Sequence, residues 1–361
     1  MTRINVTRAT LPPLEEYVAK LQLIWATGHI TNNGDLLLEL ERDLKAYLGV
    51  RHLFLTANGT LALQIALRAA GVSGEVITTP FSYVATVNAL LWERCTPVFV
   101  DIDPHNLCID PNKIEAAITP ATRAILPVHV YGNPCDVASI EAIARKHQIK
   151  VVYDAAHAFG TRLDGQSPVV HGDLSILSFH ATKLFHTVEG GAVVTNDDDL
   201  AEQVRLMRAF GHLDDEYSLV GINAKNSELH AAMGLCLLPR ITEIIAARCV
   251  ATEYYDRLLT DTRVLRPRAI QTTFESNYSY YPIVLPNERV LMNIKNALQV
   301  RNIYPRRYFY PALNRLPFLQ NAASCPVAED FANRVLCLPL FGGIDPAVQE
   351  AIATVVLQAL K

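Results

Sequence analysis

An α/β fold is predicted, with a mainly parallel seven-stranded sheet covered by helices and a smaller C-terminal α/β domain. Three observations predict it. Between residues 53 and 210 short β-rich runs alternate with helical patterns, the signature of βαβ units and a sheet covered on both faces. After residue 240 the texture changes to longer helices separated by strand-like and aromatic stretches. The chain has 361 residues, half of them hydrophobic and 19% charged, so it can bury a large core and exceeds the usual size of one domain. The boundary is placed at 240, giving units 1–240 and 241–361.

The elements follow in order. Helical periodicity covers 15–26 and 36–48, around a turn-rich loop, Gly28-His-Ile-Thr-Asn-Asn-Gly34. Strands are expected at 53–56, 75–79, 97–100, 124–130, 150–154, 174–179 and 191–195, with helices at 60–70, 82–93, 111–118 and 137–147. The last two strands flank a short polar turn and are expected to run locally antiparallel. Beyond 240, helices are expected at 241–259, 289–300, 327–336 and 346–360, with a strand at 278–285.

Composition removes several functions. Net charge is -4 with no basic block, so no nucleic-acid partner is indicated. There is no secretory pattern at the start and no run of some eighteen apolar residues, so a cytoplasmic protein without membrane partners is expected. Seven scattered cysteines lack a C-x-x-C pair and read as reduced fillers, with no disulfide framework and no metal site.

Four stretches at strand ends carry candidate chemistry, and sheets of this kind bind ligands there. Asn58-Gly59-Thr60 joins a strand to a helix, and the helix start offers free amides and a favourable dipole to an anion. Taken alone, such a step is more often simple capping. Tyr83, in Pro80-Phe81-Ser82-Tyr83, is an aromatic able to lie over a planar ring, though aromatics are ordinarily core. Asp154 ends a buried strand, with His157 three residues on, in what reads as the next helix turn. A carboxylate there needs a cation or a capping role.

The fourth stretch is Ser178-Phe-His-Ala-Thr-Lys183, followed by Glu189-Gly-Gly191. Lys183 lies between two hydrophobic strands, where desolvation lowers an amine's pKa toward the nucleophilic range, although a snorkelling structural lysine fits the local pattern too. An amine, an acid and an anion cradle at neighbouring strand ends suit pyridoxal phosphate.

These motifs, with Thr79-Pro-Phe-Ser-Tyr-Val-Ala-Thr86, Gly221-Ile-Asn-Ala-Lys-Asn-Ser-Glu228 and Arg306-Arg-Tyr-Phe-Tyr-Pro311, resemble the DegT/DnrJ/StrS sugar aminotransferases over almost the whole chain. The resemblance implies the type I pyridoxal phosphate-dependent transferase (aspartate aminotransferase) fold. It implies that Lys183 bonds the cofactor and then shuttles the proton, that Asp154 holds the ring nitrogen, and that His157 lies by the phenolic edge. Tyr83 takes the stacking position, while Gly59, Thr60 and Ser178 bind phosphate. Asn223 reaches into the partner's site of a homodimer whose active sites are shared across the interface. Thr31, Asn32, His180, His186, Lys225, Arg306, Tyr308 and Tyr310 are the expected substrate contacts.

Within the family, the motif around Lys183 resembles enzymes that aminate C4 of nucleotide-linked 4-oxo-6-deoxy sugars, those that form viosamine. L-Glutamate would be the donor and dTDP-4-dehydro-6-deoxy-D-glucose the acceptor, with amination at C3 or of another nucleotide-linked oxo-sugar as the alternative. Enzymes acting at C3 typically carry Lys-Asn-Leu-Gly and Gly-Asp-Gly-Gly instead. Same-fold dehydratases replace the lysine with histidine. Departures are Asn314, where many relatives have His, and Asp35, where relatives often have Pro. A nicotinamide enzyme would need G-x-G-x-x-G after the first strand, which Asn58-Gly-Thr-Leu-Ala-Leu63 does not supply.

Overall fold

The computed structural model describes residues 3–260, 263–269, 271–319 and 322–361. Two helices, α1 (Leu14–Thr27) and α2 (Asp35–Leu48), precede the sheet. The sheet strands are β1 (His52–Thr56), β2 (Glu75–Thr78), β3 (Thr96–Phe99), β4 (Thr122–Leu126), β5 (Lys150–Asp154), β6 (Leu174–Ser178) and β7 (Gly191–Thr195). Their spatial order is β1-β7-β6-β5-β4-β2-β3. Only β7 runs against its neighbours, so the seven expected strands and the antiparallel pair around Lys183 are as read from the sequence. Between strands lie α3 (Gly59–Ala69), α4 (Val84–Trp92) and α5 (Val137–His147).

Because β7 alone is reversed, the carboxyl ends of β1 and β6 meet its amino end: Thr56 and Ser178 both pair with Gly191. The glycine is a packing requirement. A Cβ on Gly191 would stand 2.6 Å from the carbonyl carbon of Asn58 and 2.7 Å from the Gly59 nitrogen, both backbone atoms. The Glu-Gly-Gly return thus lets the β1–α3 turn close over β7.

The hairpin between β6 and β7 is anchored by aromatics. Phe179 and Phe185 meet edge to face at 5.0 Å, and Phe159 stacks on Phe185 at 4.7 Å, each such pair adding about 1 kcal/mol beyond area burial. All three are buried with Leu184. With its neighbours committed to the core, the Lys183 side chain is left on the cleft side.

Several expectations are corrected. The strand expected over 124–130 stops at Leu126, because Pro127 has no N–H to give the ladder. The residues after Asp154 form turns rather than a helix, so His157 is held by a loop. The segment 111–118 is α-helical only over Pro111–Ile114 and continues as a single 3-10 turn.

The expected helix over 327–336 ends at Arg334, and Val335–Leu338 is instead a strand, antiparallel to Tyr281–Val284. Two helices had no sequence expectation, α6 (Asp198–Met207) and α7 (Glu228–Leu237). From Glu228 to Leu258 the chain is long and apolar enough, by length and composition, to cross a membrane. It is the α7 helix, a 3-10 turn at Leu238–Arg240 containing Pro239, and then α8 (Ile241–Leu258). Eight residues of α7 are buried, and the helix packs chiefly against α2 and α1, which accounts for its apolar composition.

The C-terminal part adds α9 (Glu288–Gln299), α10 (Pro326–Arg334) and α11 (Pro346–Ala359). Its own hydrophobic cluster runs from Ala251 to Leu360. A second cluster joins Tyr280, Tyr308 and Phe309 to residues of the main sheet, and so fixes the wall of the cleft described next.

Candidate active site

A cleft of about 260 Å³ opens at the carboxyl ends of the sheet strands. Ten of the sequence-predicted residues line it: Gly59, Thr60, Tyr83, Asp154, His157, Ser178, His180, Lys183, Arg306 and Tyr308. Segments more than a hundred residues apart converge here, which the parallel order of the sheet requires.

At one end, Asn58 caps α3 by accepting from Leu61 N at 2.9 Å, and the Gly59 and Thr60 amides keep no hydrogen-bond partner among the described residues. A Cβ on Gly59 would stand 3.0 Å from Ser178 Cβ, so only glycine leaves the Ser178 hydroxyl beside those amides. The result is a cradle for a dianion at a helix start.

In the middle, Asp154 is buried. Its carboxylate accepts from the Thr86 hydroxyl at 2.8 Å and from Ala156 N at 3.1 Å. Burial nevertheless pushes its pKa above 3.8, the two hydrogen bonds and the charge of Lys183 opposing the shift without cancelling it. An acid held this way has an unmet demand for a cation or a charged N–H donor. It is not a helix cap, since no helix follows.

His157 lies in an aromatic enclosure, stacked on Phe309 at 5.7 Å and tilted against Tyr280 at 4.8 Å. Burial first, and the Lys183 charge second, push its pKa well down, so the ring is neutral. Its buried Nδ1 has no hydrogen-bond partner among the described residues.

Lys183 completes the group. Burial lowers its amine from 10.5 to about 8, with Arg306 acting in the same direction and Asp154 against it. Only the neutral amine attacks an aldehyde. Uptake of pyridoxal phosphate by cofactor-free protein is therefore expected to accelerate with rising pH and level off above about pH 8, read from the absorbance of the bound cofactor. A midpoint near 10.5, that of an ordinary lysine, would contradict this environment.

Other expected residues lie elsewhere. Thr31, Asn32, His186, Asn223, Lys225 and Tyr310 do not line the cleft of their own chain. His186 is buried and both ring nitrogens are engaged, with Thr10 O at 2.8 Å and Val188 N at 3.2 Å. Thr31 pairs with Ser227, and Asn223 is exposed, accepting from Lys225 Nζ at 2.9 Å. Tyr310 stacks under the Arg307 guanidinium. Asn314 is buried against Ala323 O and Glu329, away from the cleft.

Thr86, Ser82, Tyr280, Phe309 and Glu189 were not singled out as site residues. Thr86 and Glu189 stand inside quoted motifs, so position in the motif was an available signal. Phe309 likewise stands inside the quoted Arg306–Pro311 motif, as Ser82 does in Thr79–Thr86, whereas Tyr280 lies in an aromatic-rich stretch with no pattern to distinguish wall from core.

The residues present fit pyridoxal phosphate: an anion cradle, an acid in want of a charged donor, a neutral imidazole with an unpartnered nitrogen, and an amine of lowered pKa. With the seven-stranded sheet they define an aminotransferase of the type I pyridoxal phosphate-dependent fold. The chain belongs to the DegT/DnrJ/EryC1/StrS aminotransferase family, whose sequence profile matches residues 14–357. Members of this family depend on pyridoxal phosphate. A Shigella dysenteriae protein named dTDP-4-amino-4,6-dideoxy-D-glucose transaminase is 44% identical over 98% of both chains. An Escherichia coli protein of the same name is 40% identical, also over 98% of both. The crystal structure of DesI in the presence of its TDP-sugar product superposes with a TM-score of 0.94 at 34% identity, covering 100% of this chain and 94% of that one.

Proposed function

We propose that this enzyme moves the amino group of L-glutamate to C4 of dTDP-4-dehydro-6-deoxy-D-glucose, giving dTDP-4-amino-4,6-dideoxy-D-glucose. The observation that carries the chemistry is the opposite displacement of two pKa values in one cleft, Asp154 upward and Lys183 downward. The choice of sugar is supported by the names of the two relatives above and by the motif around Lys183.

When bound, pyridoxal phosphate supplies a carbon that carries nitrogen between the two substrates and a ring that withdraws electrons from the reacting carbon. Lys183 would hold the cofactor covalently and, once released, would carry the proton between the substrate carbon and the cofactor carbon that bears nitrogen, and an amine near pKa 8 suits both directions. Asp154 would keep a proton on the ring nitrogen, and that charged N–H would meet the demand of the buried carboxylate. His157 would offer its ring to the cofactor's hydroxyl edge, and Tyr83 would lie over the cofactor ring.

Gly59, Thr60 and the Ser178 hydroxyl hold the phosphate, with the α3 dipole adding to the attraction. His180, Arg306 and Tyr308 are the sugar-nucleotide contacts within the chain. Exposed Asn223 serves a second copy in a cytoplasmic homodimer, and Thr31, Asn32, Lys225 and Tyr310 reach the substrate around that shared site. His186, its ring nitrogens both used, ties the Thr10 backbone to the lysine hairpin. The units 1–240 and 241–361 supply the cofactor side and the Arg306–Tyr308 wall respectively.

Incubation with glutamate and dTDP-, UDP- and GDP-linked 3-oxo and 4-oxo sugars tests this reading, with the product amine placed by NMR. A C4 amine on the dTDP sugar is expected. Amination at C3 alone overturns the assignment of the carbon, and preference for another nucleotide overturns that of the carrier.

A further inference from the structure

Two side chains at the mouth of the cleft keep hydrogen-bonding capacity that no described residue uses. His180 and Glu189 stand on opposite legs of the hairpin that carries Lys183, with Nε2 3.6 Å from Oε1. The legs are pinned by Ala181 N donating to Val188 O at 2.7 Å. Thr182 N donates to His180 Nδ1 at 3.2 Å, and the Thr182 hydroxyl is 2.8 Å from the same nitrogen. Nδ1 is therefore the acceptor, and the ring proton of the neutral imidazole sits on Nε2, facing Glu189.

At 3.6 Å the N–H and the carboxylate are too far apart for a direct hydrogen bond. They are well placed for a shared third oxygen, about 2.8 Å from each. An oxygen that both accepts and donates is that of a water or a hydroxyl, and a substrate hydroxyl can take the water's place with both hydrogen bonds kept.

We propose that His180 and Glu189 together read a free hydroxyl on the ring carbon next to the one that is aminated, the hydroxyl accepting from His180 Nε2–H and donating to the Glu189 carboxylate. This rests on the aminotransferase reading of the cleft. Lys183 works at the reacting carbon, and its side chain lines the same cleft as those of His180 and Glu189. A group held by the pair is thus a neighbour of that carbon. In a 4-oxo-6-deoxy sugar, C4 is flanked by C3, which bears a hydroxyl, and by C5, which bears a methyl group. Only the first satisfies both partners, and a methyl in that place leaves a carboxylate and an N–H unpaired. The pair therefore selects the substrate and the way its ring faces Lys183.

Neither side chain is needed for folding. Both are about half exposed, and the hydrogen bonds of Glu189 to Thr187 and Asn226 are made by its backbone oxygen. The test separates the two half-reactions of the holoenzyme. After loading from glutamate, the enzyme is mixed with the dTDP-linked 4-oxo-6-deoxy sugar or its 3-deoxy analogue. The parent enzyme is expected to use the analogue about 10- to 100-fold less efficiently.

Glu189→Gln and His180→Ala should each lose a comparable factor with the full sugar, with no further loss on the analogue. Loading from glutamate should stay within about two-fold. Equal losses on both sugars, a parallel fall in loading, or a parent enzyme indifferent to the hydroxyl would each overturn the proposal. A parent enzyme that loads from glutamate yet aminates neither sugar overturns the underlying reaction reading as well.

Discussion

Lys183→Ala is expected to lower turnover by at least about 10⁴-fold, because the variant loses the proton carrier together with the covalent hold on the cofactor. The fold should survive. Lys183 contributes no side-chain hydrogen bond or ion pair among the described residues, and its buried neighbours Phe179, Leu184 and Phe185 anchor the hairpin without it. Removing an amine whose charge is disfavoured by burial leaves no acid newly stranded beyond Asp154, which already lacks full compensation. The check has two readings. Borohydride should no longer fix the cofactor to the chain, and circular dichroism should match the parent. Turnover within ten-fold of the parent would place the proton transfer on another group, such as His157 or His180.

Asp154→Asn is expected to slow the proton-transfer step by about 10² to 10³-fold while cofactor is still retained, since a neutral amide stabilises a charged ring nitrogen poorly. Its effect on stability has the opposite sign. The folded-state pKa of Asp154 lies above 3.8, so folding favours the protonated form. The associated stability is fully present below 3.8 and is lost as pH rises through the folded value. At neutral pH, cofactor-free parent protein therefore carries the cost of a buried charge that the Asn variant lacks.

The cofactor-free variant should melt no lower than the parent at neutral pH, and any advantage should vanish in acid. A variant that melts lower and turns over normally would make Asp154 a structural residue that orders the turn at Ala156. An Asn oxygen can still accept from Ala156 N, and its NH2 then faces the Thr86 hydroxyl, which can accept as well as donate.

Much of the site was legible because the chemistry is concentrated in short motifs at strand ends. Asn58-Gly-Thr, Asp154-x-x-His and the lysine hairpin each occupy a few consecutive residues, and a parallel sheet has to bring strand ends together. The errors share a cause. The segment after Asp154 has helical composition, but the Asp154 carboxylate accepts from Ala156 N and the chain turns under the cofactor side of the cleft. Val335–Leu338 follows α10 without a break in hydrophobic pattern, and its partner is more than fifty residues away, so only pairing with Tyr281–Val284 makes it a strand. Helix α7 is nearly uniformly apolar because eight of its ten residues are buried, which erases the period that a one-sided helix shows.

The sequence by itself determined the seven strands, the lysine hairpin and the family, because local pattern and motif order carry that information along the chain. Only the tertiary structure decided which candidates share one cleft. It brought Arg306 and Tyr308 to Lys183, turned His186 away onto Thr10, and set Glu189 across from His180. The physical reason is that pKa displacement, orphaned polar atoms and unshared hydrogen-bonding capacity depend on distances between segments that are remote in the chain. Hydrophobic period and residue spacing carry none of those distances.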